Sequence, residues 1–161
     1  MKYIIWSIAA VVLLALQTGV LLPLHLIWVN LSLILVVVAT LTTDFDTGLG
    51  IAAISGVLLD LISGSRDGTI TLSMLVIFLL LYWILHSVVS REPNQLTLLV
   101  SVAGATCAYF LLYLVFNRVS GLEYFLGAQM LLTIILNVVF TYPVLQYYLM
   151  IEKLIPNEKS V

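Results

Sequence analysis

The sequence predicts an all-α integral membrane protein with six transmembrane helices, and three observations carry that prediction. Only 9% of the 161 residues are charged and 63% are apolar, where soluble domains carry roughly 25% charged residues. Apolar runs recur along the whole chain, and a membrane-spanning helix needs ~20 such residues. The connections between the runs are short and hold the helix breakers. Too few polar groups remain to cover a globule in water. Backbone groups in hydrocarbon must pair internally, so the runs are read as helices.

The first span, about 3–22, follows Lys2 and is read as retained: no A-x-A-like cleavage site follows it, and Gln17, Thr18 and Pro23 lead straight into another apolar run. Pro23 separates it from the second span, 24–42. The polar stretch Thr42 to Thr47, which includes Asp44 and Asp46, precedes the third, 48–64. Ser63 to Gly68 connects it to the fourth, 69–89. Ser90 to Gln95 and Arg118 to Glu123 introduce the fifth and sixth, 96–117 and 124–149. None of these connections is long enough to fold alone, so 1–149 reads as one helical domain, followed by a short cytoplasmic tail, 150–161. No repeat or low-complexity segment is evident.

Orientation follows from the basic residues, which concentrate on the cytoplasmic side of membrane proteins. With the N-terminus inside, Lys2, Arg91, Lys153 and Lys159 are cytoplasmic and Arg66 and Arg118 lie outside. Both termini are therefore expected in the cytoplasm. Trp6, Tyr82, Trp83, Tyr147 and Tyr148 fall near one face, with Trp28 and Tyr124 near the other, as interfacial belts would. The single cysteine, Cys107, excludes an intrachain disulfide and a cysteine-cluster metal site.

The third span contains the most informative polar residue. Helical residues four apart share a face, and at that interval this span reads Gly48, Ala52, Gly56, Asp60, Gly64. That is a nearly side-chain-free stripe interrupted by one carboxylate. Small residues let helix backbones approach closely in lipid. A charge in the same setting costs ~2.5–3.5 kcal/mol on insertion scales. Asp60 lies about one turn before Gly64, roughly 6 Å below the outer end of its helix at ~1.5 Å per residue. Its candidate partners are the amides of Ser65 to Gly68, Arg66, and Gln17 or Thr18 of the first span. An architectural role, fixing how the third and fourth helices meet, stands beside partner contact and ligand or ion binding.

The remaining polar residues point to no chemistry. His25 and His86 fall near opposite interfaces, separated by most of a ~30 Å core, and do not share an ion. Asp44 and Asp46 form a D-x-D pair without a glycine-rich loop or third ligand, and read as a solvated turn complementing a helix N-terminus. Asn137 calls for interhelical hydrogen bonding. Pro143 should kink or loosen the last helix by removing a backbone bond. No nucleophile–base pair, phosphate loop or basic stripe for nucleic acid is present. Neither an enzyme nor a cofactor is expected.

The segment GLGIAAISGVLLDLISGSRDG, Gly48 to Gly68, resembles the signature of the bacterial rod shape-determining protein MreD family, G-x-x-x-D-L-h-S-G-S-x-x-G with h apolar. Gly56, Asp60, Leu61, Ser63, Gly64, Ser65 and Gly68 match it position by position. Asn137 and Pro143 are similar to the family's Asn-then-Pro pair in its last helix, and length and span count agree. In the second helix, where the family often has a proline near the start, this chain has Val29-Asn30-Leu31.

The resemblance implies a non-enzymatic component of the cell-elongation machinery in the cytoplasmic (inner) membrane. It implies direct binding to the bitopic protein MreC. Through that complex it implies connection to the filament MreB and the peptidoglycan synthase pair RodA and PBP2. Self-association is left open. The implied fold resembles the six-helix substrate-capturing subunits of energy-coupling-factor transporters, which makes such a subunit the competing expectation. A vitamin-capturing subunit needs substantial outer loops, and those here are short. The A-x-x-x-A coupling pattern of such subunits is also missing from IWSIAAVVLLAL in the first helix. Both features favour the scaffold.

Overall fold

A computed structural model describes residues 2–21, 23–24, 29–63, 68–88, 95–117 and 128–154. Six helices run through them: α1 Lys2–Leu16, continued by a π-helical turn Gln17–Leu21; α2 Leu31–Thr42; α3 Phe45–Ser63; α4 Thr69–Val88; α5 Gln95–Asn117; and α6 Ala128–Leu154. No strand occurs among the described residues. Four stretches are long and apolar enough to cross a membrane: Ile4–Leu21, Phe45–Ser63, Gln95–Leu112 and Gln129–Lys153. The apolar stretches Leu31–Thr42 and Thr69–Leu85 are shorter. The described residues are all-helical, with four stretches of the length and apolarity of membrane spans.

The bundle is organised around α2. A helix that is apolar on all sides belongs in the interior, and every residue of α2 from Leu31 to Thr40 is buried. It touches each of the other five helices. Around it, α3 packs most extensively on α4, while α1 lies on α3, α4 on α5, and α5 on α6. These outer helices keep one apolar face exposed, for example Ile8 and Val12 on α1, Leu80 and Trp83 on α4, and Ile135 and Val139 on α6. In a bilayer such faces meet hydrocarbon. The end bearing Lys2 and the C-terminal end of α6 is a common one, because the Trp6 ring stacks on Tyr148 with centroids 5.0 Å apart.

Two boundaries differ most from the sequence expectation, while α3 starts three residues early at Phe45. The second span was expected from residue 24, but Val29 and Asn30 are non-helical and α2 starts only at Leu31. Asn30 is the reason: its side-chain oxygen accepts the amide of Leu33 at 3.0 Å, ending the helix on its N-terminal side. At the other end of the chain, α6 continues through Leu154, past the expected end of the last span at 149. Pro143 lies inside α6 without terminating it. The stretch 121–127 lies outside the described residues.

Candidate functional site

The small-residue stripe of α3 faces α4, and its register is antiparallel. A Cβ placed on Gly48 would lie 2.6 Å from a carbon of the Phe78 ring. One placed on Gly56 would lie 2.6 Å from the Thr71 Cα and 3.3 Å from its nitrogen. Ala52 between them is fully buried. The glycine at 56 therefore permits backbone-to-backbone contact, which a small-residue interface achieves only where side chains are missing. Phe45, Phe78 and Tyr82 close the other end of the pair as a ring cluster, with centroids 4.9 to 5.8 Å apart.

Asp60 lies one helical turn beyond Gly56 and is half-buried. Its Oδ1 accepts the Ile70 amide at 3.0 Å, and its Oδ2 accepts the Thr71 amide at 2.9 Å and the Thr71 hydroxyl at 2.5 Å. The first amides of any helix lack partners within it, and a carboxylate there is favoured by the helix dipole as well. Asp60 thus caps α4 from α3. These donors lie past the turn, in the first turn of the helix; of the donors expected at Ser65 to Gly68, residues 65–67 lie outside the described residues. The side chains of Gln17 and Thr18 bond elsewhere: the Gln17 Oε1 accepts the Leu31 amide at 3.0 Å and the Thr18 hydroxyl donates to the Leu14 carbonyl at 2.9 Å. Gly64, Ser65 and Arg66 lie outside the described residues.

Gly68 precedes α4 with φ +77°, a left-handed conformation that side-chain-bearing residues rarely adopt. Its carbonyl accepts the Leu72 amide at 2.8 Å, which starts the helix. Ser63 is the last residue of α3 and is exposed. Of the residues singled out in the signature, Gly56, Asp60 and Gly68 meet at this one joint. Gly48 lies at the opposite end of the helix pair.

Asn137 belongs to a second polar centre. It is fully buried on α6, its Oδ1 accepts the Asn30 amide at 2.9 Å, and its Nδ2 donates to the Thr106 hydroxyl of α5 at 3.0 Å. Thr106 in turn donates to the Val102 carbonyl at 2.8 Å. Beside it, Gln17 of α1 accepts the Leu31 amide at 3.0 Å. The start of α2 is therefore held by side chains from α1 and α6 together with its own Asn30. Pro143, six residues beyond Asn137, is exposed and takes no part in this network.

Sequence reasoning singled out Asn137 but missed Thr71, Asn30 and Thr106. An Asn immediately before an apolar run is a helix-start signal and marks Asn30; nothing in the pattern marks Thr106. Asp44 and Asp46 are exposed around the start of α3, with Asp46 in its first turn. His25 and the side chain of His86 lie outside the described residues. Among the described residues, no group of three His, Cys, Asp or Glu side chains is placed to hold a metal ion. The polar groups at both centres are occupied by hydrogen bonds that join helices, and nothing in either arrangement activates a nucleophile. No protein-family model, curated protein or solved structure matches this chain.

Proposed function

We propose that the protein is a non-enzymatic membrane scaffold of the bacterial cell-elongation machinery, of the MreD kind. In this reading it spans the inner membrane six times with both termini in the cytoplasm. It binds MreC, and through that complex helps couple MreB to peptidoglycan synthesis by RodA and PBP2. Its fold would be that of the energy-coupling-factor capture subunits, put to a different use.

One observation carries the reading. Gly56, Asp60 and Gly68, which belong to the signature shared with the MreD family, converge on a single joint where α3 and α4 lock together. A ligand-capturing subunit presents a few convergent polar groups into a pocket. Here the Asp60 carboxylate instead takes three donors from the neighbouring helix. Rigid joinery of this kind suits a protein whose product is a shaped surface for another membrane protein.

The test is co-purification of the full chain with MreC of the same organism in mild detergent, alongside thermal unfolding with micromolar vitamins. A stable complex with MreC and no vitamin-dependent rise in unfolding temperature is expected. Failure to retain MreC combined with such a rise would replace the scaffold by a capture subunit.

A further inference from the structure

We infer that a recess between α1 and α6 binds one acyl chain of a membrane phospholipid. The recess has a volume of about 210 Å³ and is lined on one side by Leu13, Leu16 and Val20 and on the other by Phe140, Pro143 and Val144. One wall departs from regular α-helix. Val20 belongs to the π-helical turn that continues α1, and π turns recur at functional positions. Opposite it, Pro143 has no amide to give to the Val139 carbonyl, although α6 stays α-helical through it.

Contacts between α1 and α6, and between the π turn and α2, bracket the recess. Towards the chain termini, the Tyr147 hydroxyl donates to the Ala9 carbonyl at 3.1 Å, and the Trp6–Tyr148 stack lies beyond it. At the other end lie the buried Leu21 and Leu31, with Leu31 tied back to α1 through Gln17 at 3.0 Å. The lateral mouth is framed by Leu16, Val20 and Pro143, all exposed, on the surface of two stretches apolar enough to cross a membrane, Ile4–Leu21 and Gln129–Lys153.

This shape selects the occupant. From Leu13 to Leu21 the wall is ~12 Å long at ~1.5 Å per residue. That length accepts an extended hydrocarbon of roughly nine carbons, given carbon–carbon bonds of ~1.5 Å. A transmembrane helix is ~10–12 Å across with its side chains, too wide to seat in a recess of about 210 Å³. Water is excluded for want of polar partners, and an apolar cavity of ~150 Å³ already stays dry and admits a hydrocarbon. An empty recess would forfeit dispersion contacts along its whole lining, while acyl chains stand at its mouth.

The inference does not depend on the partner proposed above. Its test uses the full chain, stripped of lipid in detergent, titrated with palmitoyl-oleoyl phosphatidylglycerol and examined by native mass spectrometry. Leu16→Trp fills the recess from an exposed lip; Val12→Trp, exposed one turn earlier and outside the lining, is the control. The unmodified chain and V12W should hold one lipid each, with L16W weaker by about tenfold, a difference well within such a titration. Thermal unfolding reports whether each variant is folded, and Val20→Phe, which fills the same recess from another exposed position, decides the matter should L16W unfold. Equal lipid binding by the filled variant and the control overturns the proposal. So does loss of MreC, with lipid binding unchanged, on filling the recess, which would make it a protein-docking site.

Discussion

Replacing Gly56 by alanine adds a single methyl group, and the geometry of the α3–α4 joint sets its consequence. The new carbon would lie 2.6 Å from the Thr71 Cα, where comfortable carbon contacts lie at ~3.5–4.0 Å. Thr71 meets it with its main chain, so no rotamer change relieves the clash. The helices must separate locally by about 1 Å to restore an ordinary contact distance. Asp60, one turn away, feels the same separation: transmitted in full, it would stretch the bonds to Ile70 and Thr71 from 2.9–3.0 Å past the limit of ~3.5 Å, beyond which they no longer count as hydrogen bonds. Overpacking costs ~1–3 kcal/mol, and loss of one charge-assisted bond a further ~1.5–3 kcal/mol. Gly56→Ala should therefore destabilise by roughly 2.5–6 kcal/mol when both effects operate, and Gly56→Leu by more. The assay is reversible unfolding in mixed micelles or thermal unfolding in detergent, with Gly104→Ala as control. A Cβ at Gly104 meets nothing within 4 Å, so that variant should be unchanged or slightly stabilised through helix propensity. A Gly56→Ala loss no greater than ~0.5 kcal/mol, the range of neutral surface changes, would refute the close backbone approach.

Further outcomes follow from the same contacts. Asp60→Asn keeps one acceptor oxygen but turns an amino group towards one of the α4 amides; it should cost ~1–3 kcal/mol, less than Gly56→Leu, with Asp60→Leu worse than Asp60→Asn in detergent unfolding. If Asp60→Asn abolished the MreC complex and left stability intact, the carboxylate would have to contact a partner or ligand directly. Asn137→Leu strips the Asn30 amide of its acceptor at a buried helix start and should destabilise by ~1–3 kcal/mol, measured the same way. With both termini cytoplasmic, an impermeant thiol reagent on intact cells should label a cysteine at Val119 and spare one at Ser160, each in a Cys107→Ser background. The reverse pattern would invert the topology.

Hydropathy made most of the bundle legible because lipid imposes one rule on every span, and the starts of α3, α4 and α5 fall within a few residues of the breakers that mark them. The four-residue interval Gly48, Ala52, Gly56, Asp60 also identified a packing face, since helical periodicity is local. Local patterns could not give what depends on two helices at once. The Asp60 donors at Ile70 and Thr71 follow from the register between α3 and α4, and hydropathy carries no register. The late start of α2 escaped for a related reason: the chain is apolar on both sides of Asn30, so an average over a window passes straight through it. The capping preference of that one residue was the available signal. The meeting of Asn137 with Thr106 across a separation of 31 residues needed the packed bundle itself.

The two polar centres solve one physical problem. A helix that begins inside an apolar environment exposes amides that have no intrahelical partner, and hydrocarbon supplies no water to satisfy them. At 12 residues α2 is ~18 Å long, well short of a ~30 Å hydrocarbon core, so its start cannot rely on the interface for hydration once its other end reaches it. Gln17 and Asn137, from α1 and α6, meet the amides of Leu31 and Asn30, just as Asp60 of α3 meets those of Ile70 and Thr71 at the start of α4. In both cases the acceptor comes from a different helix, so capping a helix and docking it onto its neighbour become a single event. A helix packed in the wrong place would leave its own amides bare. The few polar side chains that this apolar chain retains thereby specify which helices meet and at what height, a selectivity that its leucine- and valine-rich faces cannot supply.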